Sequence, residues 1–233
     1  MSVPRVVNMA FQGIIFDLNG VLWWDGPLQE QAWGQFSAEA RGWPFSPEEY
    51  AIHVHGRTNR HTLEYLTGRA VEKEELGRLT QQKEAIYRRL CLEQGVAFCL
   101  SPGAADLLSF LAAHGIPRTI ATASERVNLD FFVEHLQLDR WFDPGRIVYD
   151  DGSRPGKPAP DIYLQAAHTL GLAPDVCVVV EDSRSGLQAA HAAGIGYLVA
   201  LGPVERHGEL ARLAGVDRVI ESLEQLPREW LFL

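Results

Sequence analysis

Gly13-Ile14-Ile15-Phe16-Asp17-Leu18-Asn19-Gly20-Val21-Leu22 is the stretch on which the fold turns. Ile14, Ile15 and Phe16 form a short apolar run of β-branched and aromatic residues, the pattern of a strand covered on both faces. Asp17 follows at the carboxyl end of that strand, where open α/β sheets bind ligands. Asp17 and Asn19 bracket Leu18, so in an extended segment both project to the same side. A carboxylate there can act as a nucleophile, and a residue two positions on could carry protons for it. Asn19 has an amide and cannot.

After Gly20 the chain reaches the turn signal of Asp25-Gly26-Pro27 too soon for an ordinary crossover. From Leu28 to about Gln94 the pattern is helical, with no convincing strand. Ala32, Trp33, Phe36 and Ala40 recur at helical spacing between Gln29 and Arg41. Ser46-Pro47-Glu48-Glu49 combines an N-cap, a proline at the first position and acids in the first turn. Thr58 or Asn59 caps a helix with Leu63 and Leu66 that stops near Gly68. Glu72 to Leu92 is a long charged stretch with Leu76, Leu79, Ile86 and Leu90 inward and an acidic face, Glu72 to Glu84, expected in solvent. An all-helical cap of residues 25–94 is therefore expected, inserted into a core of residues 1–24 and 95–233.

That core alternates helix and strand. A helix opens at Ser101-Pro102-Gly103 and stops at His114-Gly115. Arg118 to Thr122 reads as a strand and Ser124 to Leu136 as a helix. Ile147-Val148-Tyr149 is a short strand and Asp161 to Leu170 a helix. Val176 to Val180 is the strongest buried strand, ending on Glu181-Asp182. A helix from Ser185 to Ala193 leads to the last expected strand, Tyr197 to Ala200. Repeated βα units with continuous apolar strands imply an α/β fold with a doubly wound parallel sheet.

Composition narrows the function classes. Across 233 residues the net charge is −9 and the pI near 5.4, so no basic footprint for nucleic acid exists. No apolar run approaches the ~18 residues of a membrane span. Met1 to Met9 holds no stretch fit for a signal peptide and reads as a loosely held tail. Cys91, Cys99 and Cys177 form no CxxC, which suits free thiols in a reducing cytoplasm.

The polar strand ends carry the chemistry: Asp17, then Thr122-Ala123-Ser124, then Glu181-Asp182-Ser183, with Lys157 in the loop ahead of a helix. A parallel sheet puts them all on one edge. Three carboxylates around one point require a cation, and a hard oxygen-preferring ion such as Mg²⁺ fits. A lysine and a hydroxyl beside it suit a phosphoryl group next to that metal.

Asp17-Leu18-Asn19-Gly20-Val21, Thr122, Lys157-Pro158-Ala159-Pro160-Asp161 and Glu181-Asp182-Ser183 together resemble the haloacid dehalogenase superfamily, specifically its phosphatase and β-phosphoglucomutase-like branch. The resemblance covers nearly the whole chain and implies a Rossmann-like core with a mobile helical cap. It implies that Asp17 forms an aspartyl-phosphate, and that Thr122, Ala123, Ser124 and Lys157 bind the phosphoryl group. Asp17, Asp182 and the backbone carbonyl of Asn19 would hold Mg²⁺, with Glu181 orienting or joining that shell. Lys83 matches a cap lysine that reaches the substrate in the mutases, though its charged helix equally suits a solvated face.

The departures from the family pattern are specific. Asn19 replaces the aspartate that protonates the leaving oxygen and deprotonates water. Gln29 stands where mutases often have histidine, which weakens a phosphotransferase reading. Trp23 and Trp24 replace smaller hinge residues and are expected to pack between cap and core. Three accounts of Asn19 remain open: an introduced change that slows a competent site, a natural residue suited to leaving groups that need no proton, or a phosphometabolite binder without turnover. His53, His55 and His61 lack the spacing of a closed zinc site.

Overall fold

A computed structural model describes residues 11–228; the tail expected at Met1 to Met9 lies outside them. The order begins with β1 (Gly13–Phe16), followed by four helices: α1 (Gly26–Arg41), α2 (Pro47–His53), α3 (Asn59–Thr67) and α4 (Lys73–Glu93). The alternating part then runs α5 (Ala104–Ala113), β2 (Arg118–Glu125), α6 (Arg126–His135), β3 (Val148–Asp150), α7 (Asp161–Leu170), β4 (Cys177–Glu181), α8 (Arg184–Ala192), β5 (Tyr197–Leu201), α9 (His207–Leu210) and β6 (Val216–Ile220). The strands form one parallel sheet in the order β3-β2-β1-β4-β5-β6. Its order reverses at β1, which lies between β2 and β4, so the crevice beyond the end of β1 is where such a sheet binds ligands.

Side-chain alternation along the buried strands builds two cores. Ile14, Phe16, Val178, Val180 and Val199 face one layer with Leu107, Leu108, Leu111 and Phe132 from α5 and α6. Ile15, Cys177, Val179, Leu198 and Ala200 face the other, against Tyr163, Ala166 and Ala167 of α7 and Leu187 of α8. The inserted helices keep a separate cluster of Trp33, Phe36, Val54, Leu63 and Val71. This is the expected fold class: a doubly wound α/β core with a helical cap.

Two sequence expectations are corrected. The segment from Ser124 onward is not yet helix: β2 continues to Glu125, which pairs with Asp150 of β3, and α6 starts at Arg126. The sheet also has a sixth strand beyond Ala200. β6 lies at the edge, where Asp217 and Arg218 interrupt its apolar pattern, so it lacks the continuous run that marks a central strand.

The start of α2 is a full capping box. Ser46 Oγ accepts the Glu49 N–H at 3.1 Å, and the Glu49 carboxylate accepts the Ser46 N–H at 2.8 Å. Arg41 grips the same carboxylate with two N–H groups at 2.9 Å, and the Tyr65 hydroxyl donates to it at 2.9 Å, tying α1, α2 and α3 together. Arg41 first, then the Ser46 N–H, hold Glu49 down to about 2 from its ordinary 4.5. A depressed folded-state pKa contributes stability that is complete above about 4.5 and is lost as pH falls through about 2. Glu49→Gln should therefore lower the unfolding midpoint at pH 6 and have a smaller effect at pH 2.5; equal effects at both would refute the assignment.

Candidate functional site

Chain geometry after β1 assembles the site. Leu18 O accepts the N–H groups of Leu22 and Trp23, and the Gly20 N–H donates to Trp23 O at 2.7 Å, so the loop folds back tightly. Gly20 adopts φ +81°, and a Cβ there would overlap the Asp182 carboxylate. Only glycine fits where this loop passes under Asp182.

Lys157 is the centre of the polar cluster. Its Nζ donates to Asp17 Oδ1 at 2.6 Å and to Glu181 Oε2 at 2.7 Å, with all three side chains buried. Glu181 also accepts from the Tyr163 hydroxyl, the Ser183 hydroxyl at 2.8 Å and the Ser183 N–H at 3.0 Å. Burial opposes its charge, but Lys157 and these donors bring Glu181 down to about 2. Burial likewise opposes the Lys157 ammonium, and the Asp17 and Glu181 carboxylates outweigh it and raise its pKa. Asp17 is raised by burial and by the charges of Glu181 and Asp182, with Lys157 acting against them. Burial also raises Asp182, opposed by His55.

Asp17, Glu181 and Asp182 each offer an oxygen within 4.8 Å of the others, so the cluster is suited to a metal ion. Three carboxylates against one ammonium leave an excess of negative charge, and every donor is a hard oxygen. The residues present fit a hard divalent cation.

Thr122, Ala123 and Ser124 line the same pocket, as do Asn19 and Lys83. Thr122 Oγ1 accepts the Ser124 N–H at 3.1 Å, and Ser124 Oγ donates to Asn19 Oδ1 at 2.8 Å. Lys83 and Glu84 do not face solvent: Lys83 is 2% exposed and Glu84 6% exposed, which corrects the solvated acidic face at that end of α4. Lys83 Nζ donates to Gln29 Oε1 at 2.8 Å and Glu84 Oε1 at 3.0 Å, and lies over the Trp33 and Tyr87 rings. Glu84 also accepts from Asn59 of α3, at 2.9 Å, and from Asn128 of α6. Helical periodicity selects apolar positions and is blind to such a buried ion pair.

The cap meets the core directly over this edge. Gly56 O accepts from Ser185 Oγ at 2.9 Å, and Arg57 donates to Lys157 O at 3.2 Å. His55 Nε2 lies 3.1 Å from Asp182 Oδ2, and Asp182 raises its pKa against the opposing effect of burial. His53 instead stacks on Tyr65 at 3.7 Å, away from His55's contact. Trp23 is buried and packs on Phe98, whereas Trp24 is 43% exposed and leaves the hinge.

Sequence reading missed the roles of Asp25 and Tyr87. Asp25, read only as part of a turn signal, is buried at the pocket wall. It accepts from the Tyr87 hydroxyl at 2.6 Å, Asn19 Nδ2 at 2.6 Å and Gln29 Nε2 at 3.0 Å. Burial raises Asp25, with these donors opposing, and burial and Asp25's charge raise the Tyr87 phenol. No spacing rule signals that a carboxylate six residues after an amide returns to it.

Known proteins are similar to the chain over most of its length. The family model for haloacid dehalogenase-like hydrolase matches residues 11–194. Hexitol phosphatase A of Escherichia coli is 32% identical, covering 94% of this chain and 94% of its own. The phosphorylated carbohydrates phosphatase of Thermotoga maritima is 31% identical over 92% of this chain and 96% of its own. The crystal structure of a HAD hydrolase, family IA, variant 3, from Entamoeba histolytica superposes with a TM-score of 0.84 at 32% identity, covering 94% of this chain and 97% of that one.

Truncating Lys157 leaves two buried carboxylates uncompensated. Breaking such a cluster by removing one partner costs roughly 3–5 kcal/mol. Lys157→Ala should lose about that much stability in denaturant unfolding with a chelator present. A loss below about 1 kcal/mol would mean the carboxylates do not depend on the ammonium.

Proposed function

The chain belongs to the haloacid dehalogenase-like hydrolase family, and from that premise we propose that it is a Mg²⁺-dependent phosphohydrolase of small phosphorylated metabolites, sugar phosphates among them. The observation that carries this reading is Lys157 bridging Asp17 and Glu181 next to Asp182, at the switch point of the sheet. The phosphatase names of the relatives from Escherichia coli and Thermotoga maritima support the substrate class. In this reading residues 25–94 are the cap and residues 1–24 and 95–233 the catalytic core.

An Asp17 carboxylate oxygen attacks phosphorus, the bond to the leaving oxygen breaks, and an aspartyl-phosphate forms. Water then attacks phosphorus, releasing phosphate and restoring the carboxylate. Lys157 and the Thr122 hydroxyl, with the Ala123-Ser124 segment, hold the phosphoryl oxygens and orient them in line with Asp17. Asp17, Asp182 and the Asn19 carbonyl would hold Mg²⁺, with Glu181 orienting that shell; the ion when bound neutralises phosphoryl charge. Lys83 reaches the substrate from the cap side, and cap closure excludes water.

Asn19 supplies no proton. General acid–base catalysis is worth about 10²–10⁴-fold, so substrates whose leaving group needs no proton are favoured. The leaving oxygen of an alkyl phosphate takes its proton from water.

The test is hydrolysis of an aryl phosphate and of a sugar-phosphate panel, with Mg²⁺ and with chelator. Turnover should require the metal, fall to background in Asp17→Asn, and favour the aryl over the alkyl phosphates by roughly 10²–10⁴-fold. Mass spectrometry of a quenched reaction should find phosphate on Asp17. Saturable binding without turnover of anything in the panel would replace the hydrolase by a phosphometabolite-binding protein.

A further inference from the structure

The Asn19 amide is hydrogen-bonded through both its nitrogen and its oxygen. Nδ2 donates to Asp25 Oδ2 at 2.6 Å and towards the Tyr87 hydroxyl oxygen at 3.3 Å, while Oδ1 accepts from Ser124 Oγ at 2.8 Å. Asp25 is equally engaged: besides Asn19, its Oδ2 accepts from Tyr87 and Gln29, and its Oδ1 accepts the Gly20 N–H at 3.0 Å. At 1% exposure, the Asp25 carboxylate depends on these donors in place of water. A side chain isosteric with Asn19 but lacking the amide hydrogens would set a carboxylate oxygen against the Asp25 oxygen with no hydrogen between them.

We propose that Asn19 and Asp25 form one exchanged pair, in which the carboxylate that the family pattern places at 19 stands at 25 and the amide at 19 is its required partner. Asp25 is a positioning residue. Through the Asn19 amide and the Gly20 N–H it fixes the loop that carries Asp17, and through Gln29 and Tyr87 it joins that loop to α1 and α4. Asn19 is then not a lesion awaiting repair: restoring aspartate at 19 alone places like charges in contact, and the residue at 25 must change with it.

The test is a four-protein cycle: the parent chain, Asn19→Asp, Asp25→Asn, and the double exchange. Contacting residues couple strongly enough to change a rate or equilibrium by roughly 2- to 150-fold. Both single variants should show a lower thermal unfolding midpoint and a kcat for aryl phosphate reduced at least about tenfold. The double exchange, which restores one carboxylate and one amide in mirror order, should regain the parent midpoint and raise kcat at least about tenfold above either single variant. Independent effects, with the double variant as impaired as the singles combined, would overturn the pair. So would an Asn19→Asp single variant as stable and active as the parent. The kinetic arm rests on the proposed hydrolase activity; the midpoints do not. If no protein in the set hydrolyses anything, recovery of the midpoint in the double exchange still supports the pair and additive losses still overturn it.

Discussion

The Lys157 ammonium shared between Asp17 and Glu181 is the constraint on which the rest depends. Burying one cation between two carboxylates is costly unless each charge keeps its hydrogen bonds, because desolvation rivals the Coulombic gain. The fold meets that condition from separate elements. β1 delivers Asp17, β4 delivers Glu181, and the loop before α7 delivers Lys157, while α7 adds the Tyr163 hydroxyl and the turn into α8 adds the Ser183 donors. Tight backbone approach completes it, with Glu181 lying over Gly186, where no Cβ could stand. Asp182 stays outside the lysine's reach and points to the cap, so the cluster remains open on one side.

That open side is where cap and core meet. The cap contributes a short arc around Gly56, whose φ of +70° and close approach to Ser183 and Ser185 leave no room for a side chain. The neighbours of Gly56 then fall directly on the polar cluster: His55 at Asp182 and Arg57 at the Lys157 carbonyl. Farther along the pocket wall the polar groups satisfy one another: Lys83 donates to Glu84 and Gln29, and Glu84 also accepts from Asn59 and, behind the wall, from Asn128. The wall is polar and internally hydrogen-bonded, a surface suited to hydroxyl groups, and in the proposed function the anionic end of a substrate would lie at Lys157.

Much of this is legible in the sequence for a physical reason. Strands buried on both faces announce themselves as apolar runs, and the residues just past the end of such a run lie on the ligand edge. Asp17, Thr122 and Glu181-Asp182 stand out in that way, and the inserted helices by caps such as Ser46 and Thr58. The unreadable parts break the same rules. β6 is an edge strand with Asp217 and Arg218 in it. Ser124 continues β2 because β3 extends the pairing, a tertiary cause absent from local pattern. Lys83 and Glu84 are buried as a pair on a helix whose composition reads as solvated.

Asp25 is the instructive miss, because a motif compares residues at fixed positions whereas a site requires groups at fixed places. Asn19 and Asp25 are six residues apart, yet the fold-back from Leu18 O to Leu22 and Trp23 brings their side chains into contact. Compared position by position with the family pattern, the chain lacks a carboxylate two residues after Asp17. Counted by place, the pocket wall still holds one, saturated by Asn19, Gln29, Tyr87 and the Gly20 N–H. A carboxylate held by four donors is an anchor rather than a free proton carrier. On the proposed reading the exchange trades mobility of a proton for rigidity of the loop, which would suit a site that relies on positioning and charge more than on acid–base help.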